Sequence, residues 1–213
     1  MTAPAKGADW FTQTDFNEAF SEKRRCEELV WDGCKFAFTL HAGAVSAALG
    51  LTQFALESGH DLRIAARSLL AIAVLCGVLM FFLLIRTRVY FVVACRYINE
   101  TRRHFTSQEG MFRSSARYYD DPLQPPYFHW LSSQVWTFIV VALLNAASAS
   151  AFVAVDGLAG SRNVGEVVIP GAILVVLQLA LMTGYLSSLE GKTSRQAVFE
   201  SAPGGPRGAR EDG

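Results

Sequence analysis

Residues 68–105 read SLLAIAVLCGVLMFFLLIRTRVYFVVACRYINETRRHF. The first 18 hold no Asp, Glu, Lys or Arg; the next 20 hold five arginines and one glutamate. A helix needs roughly 20 apolar residues to cross about 30 Å of hydrocarbon, so residues 68–85 suit a membrane span. Residues 86–105 do not. On a helical wheel of about 100° per residue, Arg88, Arg96, Asn99, Arg102 and Arg103 share one sector with Val92 and Cys95. Val89, Tyr90, Phe91, Val93, Ala94, Tyr97, Ile98 and Phe105 take the opposite face, and Arg86 stands apart from this sorting. This pattern predicts an amphipathic helix. No proline interrupts residues 68–105, so the simplest reading is one continuous helix of about 57 Å at 1.5 Å per residue. It crosses the membrane and projects beyond it; a bend onto the membrane surface is the less favoured alternative.

Three further charge-free blocks cover residues 36–56, 135–155 and 167–186. In lipid each backbone N–H and C=O must be paired within the segment, so these blocks predict helices. The expected fold is an all-α membrane protein with four transmembrane helices. Its expected organisation is a cytoplasmic amphipathic helix at 1–35, a four-span bundle at 36–189 with a helix and loop at 86–134, and a disordered tail at 190–213.

Basic residues set the orientation, because Lys and Arg gather on the cytoplasmic side. Of the 19, the N-terminal segment, the central stretch and the tail hold 16, and the two short loops hold Arg63, Arg67 and Arg162. Both termini are therefore expected in the cytoplasm and the protein in the inner (plasma) membrane. Acidic Asp9, Asp15, Glu18 and Glu22 stand where a signal peptide would be basic and apolar, so no cleaved leader is expected. A reducing cytosol leaves Cys26, Cys34, Cys76 and Cys95 as ordinary small apolar side chains.

The N-terminal segment has a helix signature in Asp15 followed three residues later by Glu18. Phe16, Ala19, Phe20, Cys26, Val30 and Trp31 gather on one side, and Gly33 is expected to end this helix before the first span. Seven acidic and five basic residues here, against seven basic and four acidic at 86–134, favour its pairing with the extension of the second span. Pro122, Pro125 and Pro126 break the helix after residue 105, in a loop dense in aromatics. Tyr127 to Trp130 suit an interfacial belt; Tyr118 and Tyr119 suit a docking loop.

Polar residues inside spans mark packing or function. His41, Asn145 and Gln178 are the candidate pore or packing positions, and Gly43 with Ala47, Ser46 with Gly50 and Ala146 with Ser150 are small pairs that let helices approach. No membrane carboxylate, HExxH, GxSxG, phosphate loop or ligand set is present, so no enzyme, cofactor or metal is expected. The leading expectation is a self-associating, channel-like or membrane-effector protein in contact with the bilayer. The alternative is an anchor that holds a cytosolic partner or anionic lipid through Arg88, Arg96, Asn99, Arg102, Arg103, Tyr118 and Tyr119. Nucleic acid is not an expected partner.

Overall fold

A computed structural model describes residues 6–109, 121–157 and 163–200, with side chains for 13–102, 121–155 and 163–192. The described chain is all helix: α1 (Lys6–Ser58), α2 (Arg63–Glu109), α3 (Ser133–Gly157) and α4 (Val164–Glu200). Each contains a stretch long and apolar enough to cross a membrane, which makes this a multi-pass membrane protein. α3, with 25 residues, is about one span long. α1 and α2, with 53 and 47 residues, reach about 80 and 70 Å, more than twice the hydrocarbon thickness.

The second span and its arginine-bearing continuation form one helix, as the missing proline implies. Two boundaries differ from expectation. Gly33 does not end a helix; α1 runs unbroken through it. A Cβ at Gly33 would stand 3.0 Å from Leu84 Cδ2 and 3.3 Å from Met80 Sδ, so this glycine brings α1 against α2. Burial and intact helix bonds on both sides outweigh its weak propensity. The stop lies instead at Gly59, whose positive φ of 72° reverses the chain after Ser58. Asp61 Oδ1 then accepts from Arg63 N at 3.1 Å and opens α2. The second difference is α4, which stays helical to Glu200, through the first eleven residues of the expected tail. The remainder of that tail lies outside the described residues, as do Tyr118 and Tyr119.

The α1–α2 hairpin closes along a regular seam. On α2 a buried stripe runs through 66, 70, 73, 77, 81, 84, 88, 92, 95 and 99, with 85, 94, 96 and 98 also buried beside it; on α1 the buried positions are 26, 30, 33, 37, 41, 44 and 48. Both follow an 11-residue repeat, so Ala66, Gly77, Arg88 and Asn99 are equivalent, as are Cys26, Ala37 and Ala48. At about 3.67 residues per turn, an 11-residue repeat keeps one stripe against its partner without left-handed supercoiling. α3 packs on α1 and α2, and α4 packs mainly on α3. At Gly171 a Cβ would meet Ser150 Oγ and, at 2.6 Å, the Ala146 carbonyl oxygen, so α4 lies directly on the backbone of α3.

Two apolar clusters fill the bundle. One, near the hairpin end, joins Ala44, Ala48, Leu70, Ala73 and Val155. The other, toward the 121–132 loop, joins Val30, Phe81, Leu84, Phe138, Met182 and Leu186. The register places a polar layer between them.

Candidate functional sites: a polar layer, a loop clamp and an outward polar face

The layer draws on all four helices where the 11-residue stripes and the α3 face converge. His41 (α1), Asn145 and Ser148 (α3) and Gln178 (α4) are all buried, and Gly77 of α2 closes the layer. His41 Nδ1 and Ser148 Oγ are 2.7 Å apart, a bond between residues 107 positions apart in sequence. His41 Nε2 and Asn145 Oδ1 are the atoms that a Cβ on Gly77 would strike first. Only a glycine leaves room for both. Among the described residues, His41 Nε2, the Asn145 amide and the Gln178 amide have no hydrogen-bond partner.

The His41–Ser148 distance is what a base and a nucleophile need. Their surroundings are not: Ser148 is 0% and His41 2% exposed, and neither lines the large groove described below. The same enclosure applies to the sequence-based pore positions. His41, Asn145 and Gln178 face the interior of one closed bundle.

The second site uses the arginine sector of α2. Sequence placed this sector on a free polar face; the structure turns it inward. Arg88, Val92, Cys95, Arg96 and Asn99 are buried, as are Ala94 and Ile98 of the opposite face, while Tyr90, Val93 and Tyr97 face outward. Arg86, the exception on the wheel, also faces outward and donates from Nη2 to the Tyr90 hydroxyl at 3.0 Å. The burial of this polar sector has a direct cause in the proline-bearing loop, whose backbone carbonyls need donors. Arg88 donates to Tyr127 O (3.1 Å), Pro126 O (2.8 Å) and Gln134 Oε1 (3.0 Å). Arg96 donates from Nε to Pro125 O (3.2 Å) and from Nη2 to both Glu190 oxygens (2.9 and 3.0 Å). Asn99 Nδ2 donates to Asp121 O and Gln124 O at 3.2 and 2.9 Å. Glu190 Oε2 also accepts from Tyr127 N at 2.9 Å, and the Arg96 guanidinium lies 4.5 Å from the Tyr127 ring centre. α2, the loop and α4 are thereby locked together.

Arg88, Arg96 and Asn99, expected from the sequence to bind lipid or a partner, are engaged with the chain's own loop. Arg102 sits over the Phe20 ring at 5.4 Å, and Tyr97 Oη donates to Asp15 Oδ2 at 3.4 Å, so the N-terminal half of α1 does pair with the α2 extension. The Arg103 side chain lies outside the described residues. Sequence did not find Glu190, which was assigned to a disordered tail. Its one available signal was a carboxylate four residues past the apolar block of α4.

The third feature was legible only in part. On α1, Thr39, Gly43, Ser46, Gly50, Gln53 and Glu57 are all exposed. They fall within about 80° of arc, opposite the buried seam. Nothing lies within 4 Å of a Cβ built at Gly43 or Gly50. The same line continues toward the N-terminus through Lys35, Asp32, Glu28 and Arg25, all exposed. Over the same depth, α2, α3 and α4 present Leu75, Leu79, Phe82, Val140, Leu143, Ile173, Val176 and Leu177 outward. Comparison of the chain with family models, with curated proteins and with solved structures finds no match in any of the three.

Proposed function

We propose that this multi-pass membrane protein is non-enzymatic, self-associates through the outward face of α1 and forms a cation-conducting pore at the axis of that assembly. One observation carries the reading. α1 presents a line of small and polar residues, Thr39, Gly43, Ser46, Gly50 and Gln53, to the outside through the depth of the membrane, flanked by exposed Phe36, Leu49 and Phe54. Lipid offers Thr39, Ser46 and Gln53 no hydrogen-bond partner, whereas a second copy or water does. Gly43 and Gly50 let helix backbones approach. Gln53 Nε2 donates to Glu57 Oε1 at 3.1 Å, which places a carboxylate at the hairpin-end mouth of the same line. A ring of such carboxylates favours cations. The pore line is therefore Thr39, Ser46 and Gln53, in place of His41, Asn145 and Gln178. An N-in, C-in placement in the inner membrane agrees with the distribution of basic residues.

Ion flux from liposomes holding the purified chain tests this. Ser46→Leu and Gln53→Leu are expected to lower flux about tenfold each, and Glu57→Gln to lower the preference for potassium over chloride. Asn145→Leu, if it folds, is expected to affect stability and leave conductance per folded assembly unchanged. Liposomes that stay tight while the protein is oligomeric rule out the pore; flux that survives both leucine variants rules out this lining.

A further inference from the structure

A second observation, independent of the pore, concerns the loop end. Between α1 and α3 lies an open groove of about 1320 Å³, floored by Arg88 and Phe91 of α2. That exceeds the roughly 300–1,000 Å³ of sites for drug-sized ligands. Its position fixes its surroundings. Trp136 and Val140 belong to the charge-free block of α3, whereas Glu27 and Asp121 lie outside every such block. The groove therefore runs from acyl-chain depth to headgroup depth, and its apolar wall continues into the outward face of α3 at Leu143.

The polar half carries both signs of charge. Glu27 has one neighbour, Lys23 at 3.7 Å, and its side chain is half exposed. Asp121 uses Oδ1 to accept from Leu123 N at 2.8 Å. Arg88 contributes a cation to the floor while its hydrogen bonds hold the loop. Trp31 and Trp136, 62% and 57% exposed, offer indole faces, and Lys35 Nζ already sits 5.6 Å from the Trp31 ring centre. Carboxylates beside exposed indole rings suit an ammonium group, the cation that a zwitterionic headgroup carries.

We infer that this groove is a binding site for one zwitterionic phospholipid, its amine toward Glu27 and Asp121 and an acyl chain along Trp136 and Val140. An anionic headgroup would bring negative charge to two carboxylates.

Native mass spectrometry of the full chain, reconstituted in vesicles of equal phosphatidylcholine and phosphatidylglycerol and then extracted, tests the site. One retained phosphatidylcholine per chain is expected, at about tenfold preference over phosphatidylglycerol. Glu27→Gln with Asp121→Asn is expected to bring that preference near unity. Val140→Trp, which fills the apolar wall, is expected to remove the retained lipid, while Leu143→Trp beyond the groove leaves it. Circular dichroism and thermal melting confirm that each variant is folded. Equal retention of the two lipids, preference for phosphatidylglycerol, or a preference unchanged in the double variant overturns the inference.

Discussion

Gly77→Ala is expected to destabilise the bundle by about 2 kcal/mol, an unusual cost for adding one methyl group to a helix. The new Cβ would collide with Asn145 Oδ1 and His41 Nε2 and stand 2.9 Å from Asn145 Cγ. Those atoms belong to two other helices, and His41 is itself tied to Ser148. Relief needs a change of rotamer in a fully buried side chain or a shift of a helix, and contacts this close put the cost at the upper end of the usual range, about 3 kcal/mol. Alanine returns up to about 1 kcal/mol in helix propensity, which leaves the balance clearly negative. Gly33→Ala is the control on the same seam. Its Cβ would meet only the flexible ends of Leu84 and Met80, so a change within about 1 kcal/mol of wild type is expected. Unfolding in graded detergent mixtures, followed by circular dichroism, measures both. Adding Asn145→Ala to Gly77→Ala should recover part of the loss, because it removes the Asn145 atoms that the methyl group strikes and leaves only His41 Nε2 in its way. Equal stability of Gly77→Ala and wild type would show that the polar layer is not packed as described.

Arg96→Leu is expected to cost about 2 kcal/mol and to release the loop. Losing one member of a fully buried pair costs about 3–5 kcal/mol, because the other charge is left unmatched. Here the Arg96 side chain is 9% exposed but that of Glu190 is 34%, so water can partly solvate the orphaned carboxylate and the cost is reduced. The Pro125 carbonyl also loses its donor, and the Tyr127 ring its cation. Glu190→Gln keeps an acceptor for Tyr127 N and gives up the charge, so about half the loss is expected. The local signature separates this from general destabilisation. Hydrogen exchange should rise across residues 121–135 and stay unchanged along 66–84 of α2. Exchange unchanged in the loop would mean that Arg88 and Asn99 hold it without Arg96.

The sequence showed the spans because each is a charge-free block, and it showed the unbroken α2 because nothing in residues 68–105 forces a kink. It misplaced the end of the N-terminal helix because a glycine that stops a helix and a glycine that lets two helices touch look alike until the partner is known. Gly33 has Leu84 as its partner; Gly59 has none and adopts a positive φ. The arginine sector was grouped correctly but given the wrong surroundings. A wheel ranks residues by polarity, and it cannot see that a proline-rich segment 22 to 39 residues away supplies backbone carbonyls as buried acceptors. The Gly77 cradle and the His41–Ser148 bond depend on the meeting of helices remote in sequence, so no local pattern announces them. The small pairs on α1 were visible; that they face away from the bundle was not.

The claim on which the functional account rests is that α1 of one chain meets α1 of another. Single cysteines placed in a background with Cys26, Cys34, Cys76 and Cys95 replaced test it in native membranes under mild oxidation. Ser46→Cys is expected to give a disulfide-linked dimer, and Ile173→Cys, on the outward face of α4, to remain monomeric. A Ser46→Cys chain that stays monomeric, or an Ile173→Cys chain that links as readily, would contradict assembly through α1.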